Sequence, residues 1–449
     1  MKKIKGRKTL LTTTPEIIED RFLKRLRAGI QTQYAGAFLL LPYIQYLNLE
    51  ENIAFLDMEK KSGIPVLKDL ILAVNQKVIG KPRFSKLNTI KDLGLAIASG
   101  LPAYPDQSHF HEFLDLPKML AVDRFIKAIG QRQIEFGYID GSELACDIHV
   151  VKYRGKVDLQ KDAIPQQART DKAIRIYSVV DQGYRNPLYL GCGYPGTRAV
   201  EVGQKLVDAC LDILPDDKRT KFIFDKWFSV GELLNYINSK GQHFVTLIKR
   251  FNNRLQQMEN IPIEKFKSIT DHMGITHIPV KLRNYQGAVR LVVVEVTING
   301  VRTLLGYLTN DEIEEDIEIV KEYSCRWDVE FFHNEMNYLG FSKLPAYSLN
   351  KVLFNLAIQL IAYNAMSAFR ANLGEDFIGH NIETIYNLFL NHQALVMLKH
   401  KTIVVTLFGH PYEEVLEPIY DNISEKLEQE TLDPKISWLG GFPLRFEFR

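Results

Sequence analysis

Apolar residues recur at three-and-four spacing through the first third of the chain. The segments PEIIEDRFLKRL, VLKDLILAV and LPKMLAVDRFIKAI each put them on one helix face, and no strand-like run interrupts this pattern before about residue 135. The uncharged run 28–49 contains Gln31, Thr32, Gln33, Pro42, Gln45 and Asn48. Its apolar part therefore falls short of the ~20 residues that span a bilayer, and it reads as a buried helix. The run 352–369, with Asn355, Gln359, Asn364 and Ser367, reads as a second internal helix.

From residue 136 the pattern changes to short β-rich runs: ELACDIHVVKY, AIRIYSVVD and NPLYLGCGY. The turn formers Gly183, Asn186, Pro187, Gly193, Pro195 and Gly196 lie between or just after them, which predicts an antiparallel meander. VEVGQKLVDACLDIL is helical in period, and KFIFD reads as a buried strand ending in an acid. Ser229 and Glu232 form a capping-box pattern for the next helix, Gly241 suits a left-handed stop, and HFVTLIKR supplies another strand. The resulting order of three strands, helix, strand, helix, strand is an α/β layout with helices flanking a sheet. Residues 251–310 interrupt it with HIPVKLRNY, AVRLVVVEVTING and RTLLGYLTN, where Asn299-Gly300 signals a hairpin turn. An acidic stretch, 311–316, leads into one helix over about 317–337, and the C-terminal remainder is helical apart from KTIVVTLFG and a closing WLGGFPLRFEF.

At 449 residues, 46% apolar and 24% charged, the chain is sized for about two to three compact units and is neither disordered nor fibrous. Its 56 basic and 54 acidic residues leave a net charge of +2, so any attraction for nucleic acid must be local. One such place is the N-terminus, where Lys2, Lys3, Lys5, Arg7, Lys8, Arg21, Lys24, Arg25 and Arg27 outweigh Glu16, Glu19 and Asp20. A solvated tail and helix face is the alternative there. Cys146, Cys192, Cys210 and Cys325 form no C-x-x-C pair and read as packing residues in a reducing compartment. With no apolar signal core in MKKIKGRKTLLTTTPEIIEDRF, a cytoplasmic location is expected, with no membrane partner.

The familiar nucleotide, zinc-protease and serine-hydrolase motifs are absent from the sequence. His109 and His111 could share a metal, but a polar loop ahead of a helix explains them better. What stands out is acids in apolar surroundings: Asp147 inside a strand, Asp225 at the end of Phe222-Ile223-Phe224, and Glu330 among aromatic neighbours. Taken singly, each is more often a cap or an ion-pair partner. A hard divalent cation is the alternative partner, because Mg²⁺ is held by a few carboxylates plus water and phosphate. Tyr323, Arg326, Glu330 and position 337 are spaced i, i+3, i+7 and i+14, which places them on one face of a continuous helix. That face offers a carboxylate beside a guanidinium fork and a phenol. Trp327, off that face, is assigned to the core.

The segment EYSCRWDVEFFHNEMNYLGF resembles the tyrosine, arginine, glutamate, lysine (YREK) signature of bacterial insertion-sequence DDE transposases of the insertion sequence family four type. The resemblance extends to DIHVVKYRGK, which carries His149, Tyr153, Gly155 and Lys156 at matching offsets from Asp147, and to KFIFDKWFSVGELLNYINSKGQHFVTLIKR around Asp225. Asp140, in YIDGS, competes for the role of first acid but lacks those offsets. The β-rich stretch 251–310 falls where this family inserts a β-domain between its second aspartate and its glutamate. Two positions depart from the pattern. Asn337 stands where the family usually has lysine, so it could hydrogen-bond a phosphate but not neutralise it, with Lys343 as a substitute. The insertion also has no tryptophan, leaving Tyr285 as a weak stacking substitute.

The resemblance implies an RNase H-like α/β catalytic core, a mixed sheet flanked by helices, with a β-rich insertion and an all-α N-terminal domain. The implied boundaries are 1–135 for a helical DNA-binding region, 136–250 and 311–372 for the DDE domain, 251–310 for the insertion and 373–449 for a C-terminal region. Asp147, Asp225 and Glu330 would be catalytic and would hold two Mg²⁺ ions, with Mn²⁺ able to substitute. Tyr323, Arg326, Asn337, His149 and Lys152 would contact DNA. For His149 an ordinary strand histidine is the alternative. The implied activity is cleavage of the terminal inverted repeats of a mobile element and their joining to target DNA by a homodimer on double-stranded DNA. A catalytically inactive or domesticated DNA-binding derivative is the rival.

Overall fold

The β-rich runs after residue 136 assemble into one mixed sheet. Its strands are β1 (Glu143–Lys152), β2 (Lys161–Ala163), β3 (Thr170–Asp181), β4 (Pro187–Gly193), β5 (Lys221–Phe224), β6 (His243–Leu247), β7 (Lys267–Thr270), β8 (Met273–Val280), β9 (Val289–Ile298) and β10 (Val301–Thr309). This computed structural model describes residues 13–58, 63–164, 169–249, 252–298 and 301–449. β4 pairs antiparallel with β3, β3 neighbours β1, and β1, β5 and β6 are mutually parallel. The order 4-3-1-5-6, with an antiparallel pair on one side and parallel strands on the other, is an RNase H-like sheet. Parallel neighbours require crossovers, which two helices provide: α1 (Ala199–Leu211) ahead of β5 and α2 (Gly231–Ser239) between β5 and β6. These helices approach closely at Gly203, where a Cβ would meet the Leu233 side chain at 2.3 Å.

The 251–310 stretch prolongs this sheet. β10 pairs antiparallel with β6, and β9, β8 and β7 follow in turn. Asn299 and Gly300 lie outside the described residues, although Ile298 and Val301 on either side are paired. The sheet carries a helix, α3 (Asp316–Cys325), whose Ile319, Val320 and Tyr323 pack on Ile223, Val245, Ile275, Val292, Val294 and Tyr307. Burying each such aliphatic side chain is worth about 1.5–3 kcal/mol, which fixes the helix to the strands. Lys221 on β5 adds a polar anchor. Its ammonium pairs with Glu322 and lies 3.4 Å from Asp311 and 3.5 Å from Glu314.

Several local expectations are corrected. The helix over 317–337 is two helices, α3 and α4 (Trp327–Tyr338), joined at Arg326. There the hydrogen bonds tighten to three-residue spacing, Arg326 N donating to Tyr323 O and Val329 N to Arg326 O, both at 3.1 Å. The break turns Trp327 outward, 63% exposed, so it is not a core residue. Cys325 at the same joint is exposed, whereas the other three cysteines are buried. Ser229 makes no cap, because a 3₁₀ turn over Lys226–Phe228 delays the start of α2 and leaves Val230 at its N-cap.

These strands and α3 belong to one of two units, the one comprising Gly137–Val150 and Asp158–Phe332. The other comprises Met1–Phe136, Val151–Val157 and His333–Arg449, so the chain beyond Phe332 clusters with the N-terminal helices. The expected periodicity appears there as helices Pro15–Ala28, Val66–Val78 and Met119–Glu135. The run 28–49 is broken into a strand, Ile30–Thr32, and two short helices, Ala35–Leu39 and Leu41–Gln45. The strand pairs with Ala394–Lys399 in a small second sheet. The helix α5 (Leu349–Asn372) is long and apolar enough to cross a membrane, and its apolar window is wholly buried within the protein.

α5 is tied to α4 by a buried polar knot. Glu335, 5% exposed, accepts from Arg370 Nη1 and Tyr363 Oη at 2.7 Å and from Ile382 N at 2.9 Å. Removing this carboxylate strands a buried guanidinium, a change that costs about 3–5 kcal/mol. Glu335→Ala is accordingly expected to lower the urea midpoint markedly, while Glu335→Gln, which keeps an acceptor, loses less. Equal midpoints for wild type and Glu335→Ala would refute the assignment.

Candidate active site

Two of the sequence-predicted acids meet because of strand register. β1 and β5 run parallel with Cys146 beside Phe224, so the next residues, Asp147 and Asp225, are neighbours. The third element is the α3–α4 joint. Arg326 Nη1 lies 3.8 Å from Asp147 Oδ2, and its Nη2 lies 3.5 Å from Glu330 Oε1. One guanidinium therefore faces two of the acids. The same arginine stands over the Tyr323 ring, 5.7 Å from its centroid, and Tyr323 in turn packs edge-on against Tyr307 at 5.3 Å. The Tyr323 hydroxyl and Arg326 Nε are buried and make no hydrogen bond among the described residues.

Electrostatics follow from this crowding. Burial pushes the Asp147 carboxyl up to about 6; the Arg326 charge and a hydrogen bond from Ile148 N oppose the rise, and the charges of Asp225 and Glu330 add to it. Burial also raises the Tyr323 phenol to about 12, so it remains a donor at neutral pH. Beside Asp225 a cavity of about 700 Å³ is lined by Lys226, Trp227, Leu247, Ile248 and Lys249. Sequence reasoning missed this wall, although the Asp-Lys-Trp run and the Ile-Lys after β6 were its available signals.

The remaining candidates are distributed as follows. His149 is half-buried on β1, and burial lowers its imidazole to about 4, so it is neutral near pH 7. Lys152 and Asn337 belong to the other unit, where Asn337 Oδ1 accepts from Ser342 Oγ. Asp140 is exposed and bound to Lys218 at 2.8 Å and to Ser142, commitments that hold its carboxyl below the usual range. His109 forms a buried pair with Asp69 at 2.8 Å.

Among the described residues no three His, Cys, Asp or Glu side chains converge tightly enough to hold a metal ion. The donor chemistry nevertheless fits a hard divalent cation, because the groups are carboxylates and Asp147 is raised first by burial and then by the charges of Asp225 and Glu330, which a cation would offset.

The raised Asp147 carboxyl yields a stability prediction for metal-free protein. Its folded value lies above the unfolded one, so the fold binds a proton more readily than the open chain between about pH 4 and 6. Stability contributed by the protonated form is lost as pH rises through that window. Asp147→Asn should therefore melt higher than wild type at pH 7.5, with the gain vanishing below about pH 4. A variant that melts lower at pH 7.5 would show that the ionised carboxylate is stabilising instead.

Comparison with known proteins bears on the same region. Residues 142–365 match the family model described as transposase DDE domain. Among solved structures, a piggyBac transposase synaptic complex with hairpin DNA aligns with 13% identity over 85% of this chain and 80% of that one, with a TM-score of 0.45. No curated protein matches the sequence. DDE transposases generally use divalent metals to cut and join DNA strands, and the match over 142–365, which spans Asp147, Asp225 and Glu330, supports reading this chain as a DDE transposase.

Proposed function

We propose that this protein is an insertion-sequence transposase of the family four type that binds the terminal inverted repeats of its element, cuts the DNA ends and joins them to target DNA. The observation that carries the reading is the grouping of Asp147, Asp225 and Glu330 around Arg326, within the region that matches a transposase domain. Asp147, Asp225 and Glu330 would hold two Mg²⁺ ions, for which Mn²⁺ can substitute. Bound there, the ions supply activation of water or a DNA 3′-hydroxyl and stabilisation of the leaving oxygen. Arg326 would grip the phosphate beside the scissile bond through its planar fork. Tyr323 would donate one hydrogen bond to the same phosphate. His149, neutral, is suited to a hydrogen bond with the strand and not to charge pairing, and Lys152 and Asn337 would add backbone contacts. Two ends cut together call for a homodimer on double-stranded DNA, acting in the bacterial cytoplasm on the nucleoid.

A second reading, an inactive transposase-derived DNA binder, is favoured by Asn337 in place of a cation and by the engagement of two acids with Arg326. Incubation of a labelled element end with Mg²⁺ or Mn²⁺ separates the two. Wild type is expected to nick and join the end, and Asp147→Ala, Asp225→Ala and Glu330→Ala are each expected to lower the rate by more than about a hundredfold with binding retained. Binding without metal-dependent cutting by wild type would establish the inactive reading. Cutting by Asp147→Ala would remove that residue from the site.

A further inference from the structure

The N- and C-terminal unit holds a cavity of about 540 Å³ with a charge composition unlike that of the whole chain. Arg83, His111, Lys152, Arg154 and Lys343 line it, and among the described residues no carboxylate does. In a protein with 56 basic and 54 acidic residues, such a wall is a local concentration of one sign. We propose that this basin grips the phosphodiester backbone of duplex DNA as a sequence-independent anchor, in which Lys152 is joined by Arg83, His111, Arg154 and Lys343. The proposal rests on the DNA-handling reading above and adds to it a site and a ligand chemistry.

Three features support it. The basic groups come from separate stretches of chain, near residues 83, 111, 152–154 and 343, so the fold gathers charges that the sequence disperses. Beneath them lies Lys77, fully buried, donating to Pro82 O at 2.6 Å and Asn355 Oδ1 at 2.8 Å, with its ammonium 4.4 Å from the Phe84 ring centroid. Pro82, Phe84 and Asn355 are themselves walls of the basin. Burial lowers the Lys77 ammonium to about 7, and the charge of Lys343 adds to that lowering. Finally, Arg83, Arg154 and Lys343 are exposed, and solvent-facing cations on a wide basin suit a backbone that passes over the surface. The tip of the Tyr153–Gly155 turn is shaped for this. The Tyr153 ring folds over Gly155, whose added Cβ would sit 2.0 Å from Tyr153 Oη, and this packing fixes the loop that presents Arg154.

The test is equilibrium binding of the full-length protein to a fluorescein-labelled duplex of arbitrary sequence, by anisotropy in EDTA over a range of NaCl concentrations. Each neutralised phosphate contact removes about one from the slope of log K against log salt. Arg154→Ala and Lys343→Ala should each weaken binding several-fold and reduce the slope by about one, and the double variant by about two. Arg154→Lys and Lys343→Arg should retain the slope. Lys399→Ala, an exposed lysine outside the basin, serves as the control for lost charge. The proposal is overturned if wild type binds the duplex while the basin variants keep its affinity and slope, or if Lys399→Ala matches their loss. Displacement of the duplex by inorganic phosphate at equal phosphate concentration would make the basin a free-anion site and also overturn it. If wild type binds no duplex, the DNA-handling reading itself fails, and this proposal with it.

Discussion

The site depends on a single guanidinium held between carboxylates that repel one another. Carboxylates at adjacent parallel strands repel one another, and a buried pair is costly unless a cation stands near. Arg326 is that cation here, facing Asp147 and Glu330 at 3.8 and 3.5 Å. These distances are longer than a tight ion pair, so the arginine's charge opposes the effect of burial on Asp147 without cancelling it. Asp147 remains raised to about 6, chiefly by burial. Arg326 Nε, meanwhile, finds no acceptor among the described residues.

That arrangement is built by backbone geometry and not by the helix face that spacing suggested. Spacing placed Tyr323, Arg326 and Glu330 on one continuous helix, whereas the chain breaks at Arg326 into α3 and α4. The three residues still gather, because hydrogen bonds at three-residue spacing carry the turn through the break. A helix-period pattern reads the same on either side of such a joint, so no sequence signal marked it. Trp327 and Cys325 were misassigned for the same reason: a residue at a joint faces solvent where its periodic position would face the core.

The sheet was more legible than the joint. Alternating β-branched runs bounded by Gly, Asn and Pro gave β1, β3 and β4, and KFIFD gave β5 with its terminal acid, because local propensity and burial agree there. The RNase H-like order was accessible only through the resemblance, since strand order depends on pairing between residues far apart in sequence. Asp225 could thus be placed at a strand end but not beside Asp147 without the register. The basin around Arg154 and Lys343 was illegible for a related reason, its charges being dispersed along the chain and convergent only after folding.

The insertion supplies more than extra strands. β8, β9 and β10 contribute Ile275, Val292, Val294 and Tyr307 to the cluster on which Ile319, Val320 and Tyr323 rest. Tyr323 is thereby both a core residue of the extended sheet and the support beneath the Arg326 guanidinium, 5.7 Å from its ring. A shift of β10 relative to β6 would move Tyr307, then Tyr323, and with it the cation that balances the acids. Because packed interiors transmit displacement instead of absorbing it, the strands after Leu247 act on the candidate site through contact alone. The stretch between the second aspartate and the glutamate is in this sense part of the site's foundation, and its length is compatible with a glutamate that arrives from a helix laid across the prolonged sheet.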